Sequence, residues 1–213
     1  KIHVLHISTN DEILLLQKHK SFVTCEVTPQ HLFFHSPECY DDLGTLTQMN
    51  PPIRNKEHNI GLWTGVKEKI VDVIGSDHAP HTLEEKEKDY PESPSGMTGV
   101  QTILPIMLNF VNQGKLGIED LVRLLCYNPT KIYNIKNKGE IKIGNDADFS
   151  IVDLKKEFTI TNKWIASKSG WTPYNGLKIR GLPVSTIVNG VIVMQDGEII
   201  SKPCGREVLF NYD

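Results

Sequence analysis

The sequence predicts an α/β fold followed by a small antiparallel β unit, and three observations carry the prediction. Three short apolar runs, Lys1 to His6, Phe22 to Val27 and Ile70 to Asp77, are separated by helical or loop segments with no tight hairpin turn between them. That is the pattern of parallel strands joined by crossovers. Beyond Tyr133 the texture changes to strands and turns, with Asn189-Gly190 and Asp196-Gly197 as two-residue hairpin signals. The composition, 39% hydrophobic and 23% charged over 213 residues, allows a sizeable core.

Taken in order, KIHVLH is rich in branched residues and runs into STNDEI, where Ser8 or Thr9 is placed to cap a helix with acidic residues in its first turn. The second run, FVTCEV, is closed by Thr28-Pro29, and adjacent Pro51 and Pro52 enforce an extended loop before the third. A helix from about Gly99 to Gln113 follows, with a kink expected at Pro105, and GIEDLVRLLCYNPTKIY gives an amphipathic helix up to Pro129. Residues 1–135 then form the α/β body and 136–213 the accessory β portion, within which Thr161 to Gly176 is polar and loop-like.

A net charge of -3, with no basic stripe carrying interleaved aromatics, argues against a nucleic-acid partner. No apolar run approaches a membrane span, so a small molecule is the expected partner. Cys25, Cys39, Cys126 and Cys204 are scattered without a CxxC pair, which suits four free thiols in a reducing cytoplasm. The chain opens on Lys1 without Met or a signal-peptide layout and goes straight into a strand-like run, as the interior of a longer polypeptide would.

The third run ends in IGSDHAPHTLEEK, which crowds Asp77, His78 and His81 where Gly, Asn or Pro would stop a strand. Alternation gives Val71, Val73, Gly75 and Asp77 one face of their strand, and Ile2, Val4 and His6 one face of theirs. In an α/β barrel those faces would point inward and the two polar ends would converge at the active-site rim. An imidazole and a carboxylate there suit a zinc-like ion, whose bound water is acidified to about pKa 7 for hydrolysis of an amide-like bond. On pattern alone, a lone His such as His6 is more often a hydrogen-bonded turn residue, and Asp77 is equally a helix or turn cap. His3, His19, His31, His35 and His58 have no partner at ligand spacing and read as surface or structural.

GSDHAPHTLEEK resembles the signature of dihydroorotases, which Gly75, Ser76, Asp77, Ala79, Pro80, His81 and Lys86 all fit. HIST at His6 to Thr9, EVTPQH at Glu26 to His31, MNPPIR at Met49 to Arg54 and GEIKIGNDADFSIVDL at Gly139 to Leu154 are similar to further segments of that family, in the same order. The resemblance implies a metal-dependent amidohydrolase with a distorted (β/α)8 TIM-type barrel and an accessory β-sandwich. Lys1 to His6, Phe22 to Val27 and Ile70 to Asp77 would then be the sixth, seventh and eighth barrel strands. It further implies His6 as ligand of a second, more exposed metal, and Asp77 as ligand of the first and as proton shuttle, with zinc as the ion.

The implied reaction is the reversible closure of N-carbamoyl-L-aspartate to L-dihydroorotate in pyrimidine biosynthesis. Asn50 and His81 would bind the substrate carboxylate, and backbone groups near Ser95 and Gly96 the ring. Hydantoinases and allantoinases resemble the chain too, but usually lack both the Asn of MNPP and the second His of DHAPH. Gln30 stands where dihydroorotases often have His. The family's HxH pair on the first strand, its substrate-binding Arg, its bridging carboxylate or carboxylated Lys and its fifth-strand His would belong upstream of Lys1. The chain thus reads as the C-terminal half of a dihydroorotase, needing its N-terminal half to act and leaving room for a homo-oligomer. The alternatives are a hydantoinase- or allantoinase-type enzyme and a catalytically silent structural partner.

Overall fold

The computed structural model describes residues 1–211. The chain has the expected α/β character and divides into two compact units, one of Lys1–Ile103 with Thr159–Lys178 and the other of Leu104–Phe158 with Ile179 onward.

The first unit is built on a parallel sheet of β1 (Ile2–Val4), β2 (Val23–Val27) and β3 (Val73–Ile74), in that spatial order. Helix α1 (Asn10–Gln17) crosses from β1 to β2. Its start is fixed by Thr9, whose hydroxyl accepts from the Glu12 N–H while the Glu12 carboxylate reaches back, closing a capping box. Thr28 caps α2 (Pro29–Phe33), and Pro29 stands at a helix start where its missing N–H costs nothing. After α3 (Glu38–Leu43), α4 (Lys56–Lys67) begins at Asn55 and packs on α1 and α2. The short α5 (Leu83–Lys86) repeats the capping box with Thr82 and Glu85.

Strand β3 is much shorter than the expected Ile70 to Asp77. At its start the Asp72 carboxylate, held by Lys20 Nζ at 2.5 Å, takes the Cys25 N–H at 2.8 Å and so displaces a ladder bond. Single backbone bonds from Asp72 N to Cys25 O and from Gly75 N to Val27 O, both 3.0 Å, continue the pairing on either side.

The register also corrects the parity expectation. It sets His3 beside Thr24 and Glu26 beside Val73, so these residues share one face with Gly75, where an added Cβ would lie 2.4 Å from Glu26 Oε1. Ile2 and Val4 lie on the opposite face with Val23, Cys25, Val27 and Ile74, the last four buried. The two rows ending in His6 and Asp77 therefore point to opposite sides of the sheet, not to one. Both residues lie past the strand ends at φ 32 and φ 41, so alternation does not reach them.

Residues 159–178 belong to this first unit and are less polar in effect than their sequence suggests. Trp171 and Tyr174 are almost completely buried, Tyr174 stacking on Phe34 at 5.3 Å between centroids and meeting Phe33 edge-on at 5.2 Å.

The second unit holds most of α6 (Ile103–Asn112), then α7 (Ile118–Val122) and α8 (Asn128–Ile132). Helix α6 begins at Ile103 rather than Gly99, which puts Pro105 in the first turn and removes the reason for a kink. The next helical run continues past Pro129 instead of stopping there, because a wider π turn over Arg123–Tyr127 joins α7 to α8 and leaves Pro129 at the start of a new helical turn. The sheet of this unit has the order β4 (Phe149–Thr159), β5 (Lys178–Val188), β6 (Val191–Gln195), β7 (Glu198–Ile199). Asn189-Gly190 and Asp196-Gly197 form its two tight antiparallel turns with positive φ at all four residues, as their sequence predicts.

Candidate active site at the carboxyl edge of the parallel sheet

Parallel strands end on one edge, and here β1 leads to His6, β2 to Thr28–His31 and β3 to Asp77. His6 is half-buried, and its Nδ1 is shut off from solvent with no hydrogen-bond partner. The Asp77 side chain is half-buried and makes no hydrogen bond or ion pair among the described residues. A buried nitrogen and a carboxylate left without protein partners at one sheet edge suit a ligand role, since such groups are otherwise satisfied. Among the described residues no group of three or more His, Cys, Asp or Glu side chains is arranged to hold a metal ion, so His6 and Asp77 fit as part of a ligand set rather than the whole of one.

The edges of β2 and β3 are joined by Gln30, whose Nε2 donates to Ser76 O at 3.0 Å. His31 is buried and bridges two loops. Its Nδ1 pairs with the Thr28 hydroxyl at 2.8 Å and its Nε2 with Pro51 O at 3.0 Å, so Nε2 carries the proton that the carbonyl accepts. Burial pushes His31 down to about pH 4 and keeps it neutral. This histidine is structural, and it holds the loop that presents Asn50.

The predicted substrate-binding residues come from three segments, and the structure brings the segments together. Asn50 is exposed. Two residues earlier, Gln48 O accepts the Gly96 N–H at 2.9 Å, and Gln48 Nε2 donates to Ser93 O at 3.0 Å and to Ser95 Oγ at 3.3 Å. Gly96, at φ 143, runs so close to the Asp77–His81 segment that an added Cβ would stand 2.5 Å from Ala79 O and 3.2 Å from His81 Cδ2. Only Gly fits that combination of φ and approach. His81 is about one-third exposed, with Nδ1 3.9 Å from Glu85, and its carbonyl accepts from Trp171 Nε1 at 2.8 Å. His78 takes the Gly99 N–H on Nδ1 at 3.1 Å.

Three contributors carry little or no mark in the sequence. Gln48 carried no signal. Lys86 was visible only as part of a motif, yet its side chain is fully buried and burial pushes its ammonium down to about 8. Trp171 lies in a segment that is polar overall, where the two aromatics of GWTPY are the only available signal.

The amidohydrolase family model matches residues 2–193. The chain belongs to the amidohydrolase family. Within it, the chain is 42% identical over 208 residues to the dihydroorotase of Pyrococcus furiosus, covering 97% of this chain and 48% of that one. It is 37% identical over 212 residues to the dihydroorotase of Methanothermobacter thermautotrophicus, covering 100% of this chain and 48% of the relative. Among solved structures, the L-hydantoinase (dihydropyrimidinase) from Arthrobacter aurescens superposes with a TM-score of 0.88 at 35% identity, over 94% of this chain and 46% of that one. The chain thus spans about half the length of the relatives it matches.

Proposed function

We propose that the complete protein is a dihydroorotase, closing N-carbamoyl-L-aspartate to L-dihydroorotate and reopening it, as a step of pyrimidine synthesis in the cytoplasm. The observation that carries this reading is the meeting of the Asn50, His81 and Ser95–Gly96 segments around Gln48, beside the strand end that bears Asp77. On this reading residues 1–135 contribute the last three strands of a (β/α)8 barrel and 136–213 part of a β-sandwich. The N-terminal half supplies the remaining strands and ligands, and the full enzyme is free to form a homo-oligomer.

His6 and Asp77 would hold zinc together with residues of that half. When bound, such an ion polarises the amide carbonyl and acidifies a water molecule. In the hydrolytic direction Asp77 takes a proton from the attacking water and passes it to the departing ring nitrogen. Asn50 and His81 bind the substrate carboxylate, which needs donors once it leaves bulk water. The backbone at Ser95 and Gly96 orients the ring.

The likeness to L-hydantoinase supports a second reading, a cyclic amidohydrolase acting on neutral ureides. Steady-state rates of the complete protein on L-dihydroorotate and on hydantoin separate the two. A kcat/KM about 100-fold higher for dihydroorotate is expected, because a site built for a carboxylate leaves its donors unpaired on a neutral ring. A preference for hydantoin would select the second reading, and no turnover of either would select a silent structural role.

A further inference from the structure

Lys86 is the one fully buried lysine among the described residues. Its Nζ donates to Gln48 O at 2.9 Å and Pro94 O at 2.8 Å and lies 6.0 Å from the Trp171 ring centroid, with no carboxylate in ion-pair range among the described residues. An ammonium out of water without a counter-charge is costly, and an apolar side chain would fill the same space more cheaply. What the charge adds is a strong bond to two carbonyls at once.

Those carbonyls sit at informative places. Gln48 O also accepts the Gly96 N–H, so one oxygen joins three segments. Pro94 directly precedes Ser95 and Gly96, and Gln48 precedes Asn50 by two residues. The Lys86 carbonyl completes the junction, accepting from Thr45 Oγ1 at 2.5 Å and Ser93 Oγ at 3.2 Å.

We propose that Lys86 is a positioning residue for substrate: its ammonium ties the Gln48 and Pro94 carbonyls together and so fixes the spacing between Asn50 on one loop and Ser95 and Gly96 on the other. This inference rests on the substrate roles proposed above for those three residues. Lys86 touches neither substrate nor reacting atoms, so its loss loosens binding geometry more than it slows the proton transfers at Asp77.

The test compares Lys86→Met with Lys20→Met in the complete protein. Lys20 also holds a backbone carbonyl, Ile70 O at 2.8 Å, together with the Asp72 carboxylate at 2.5 Å, but ties down no substrate loop. Lys86→Met is expected to raise KM for L-dihydroorotate about tenfold or more while kcat stays within about threefold, and Lys20→Met to lower the melting temperature with KM within about twofold of wild type. An unchanged KM in Lys86→Met, or an equal rise in Lys20→Met, overturns the proposal. Should Lys86→Met fail to fold, Lys86→Gln, which keeps a buried neutral donor but not the charged bond to both carbonyls, must show the rise in KM or the proposal falls. If wild type hydrolyses only neutral ureides, the functional reading fails by itself, and the same KM split on hydantoin decides the role of Lys86. Absence of all turnover overturns both.

Discussion

Replacing Gly96 by Ala tests whether the close approach of two loops builds the substrate site. An added Cβ would lie 2.5 Å from Ala79 O and 3.0 Å from Ala79 Cβ, about 1 Å inside ordinary contact. The atom it meets first is backbone, so the two segments must part by about that distance. The Ala79 N to Met97 O bond, 3.0 Å long and one residue away, has to stretch with them. A non-glycine residue at φ 143 adds about 1–3 kcal/mol of backbone strain, and overpacking about 1–3 kcal/mol more, giving a destabilisation of about 2–6 kcal/mol. Where the variant folds, a 1 Å displacement of a positioning group costs about 100-fold in kcat/KM. Gly170→Ala is the control, because Gly170 also has positive φ, 68, but nothing within 4 Å of an added Cβ. Urea denaturation and dihydroorotate kinetics on both variants give the result. If Gly96→Ala loses no more stability than Gly170→Ala and keeps a wild-type KM, the loops are not held together in the way described.

Three further outcomes follow from the site. His31, held neutral by burial with its value near 4 against 6.5 when unfolded, stabilises the fold fully above pH 6.5 and loses that contribution as pH falls toward 4. Urea titrations at pH 7 and pH 4 should therefore differ by about 3 kcal/mol from this residue, and His31→Gln should remove that part of the slope. His81→Ala should raise KM for dihydroorotate by about tenfold or more yet leave KM for a neutral cyclic ureide nearly unchanged, and equal losses on both would remove His81 from carboxylate binding. Trp171→Phe deletes the N–H that holds His81 O and leaves space where the larger, buried indole stood, so a loss of about 2–3 kcal/mol in stability with a small rise in KM is expected from denaturation and rate measurements.

Much of the fold was legible because local chemistry and tertiary structure agree. Thr9 with Glu12, Thr28-Pro29 and the two Xaa-Gly turns act within a few residues of themselves, and each formed where the sequence put it. What was not legible depends on partners distant in sequence. The third strand is shorter than its apolar run because the Asp72 side chain, meeting Cys25 from 47 residues away, takes over a ladder bond. Parity misled for a related reason: register between strands is not written in either strand alone, and the positive φ at His6 and Asp77 re-aims both side chains after the strands have ended. Pro105 kinks nothing, since the helix starts four residues later than its apolar pattern. At the site, the motif pointed to Asp77 and His81, whereas the scaffold behind them, Gln48, Lys86 and Trp171, works through backbone carbonyls that no side-chain pattern encodes.

Whether Asp77 is the proton shuttle is decided by the rate of L-dihydroorotate hydrolysis by the complete protein, wild type against Asp77→Ala, with melting temperatures measured in parallel. Turnover by the wild type is expected, with a loss of at least about 1,000-fold in the variant, whose fold is unchanged because Asp77 bonds to no other described side chain. Near-normal hydrolysis by Asp77→Ala would remove the carboxylate from the mechanism.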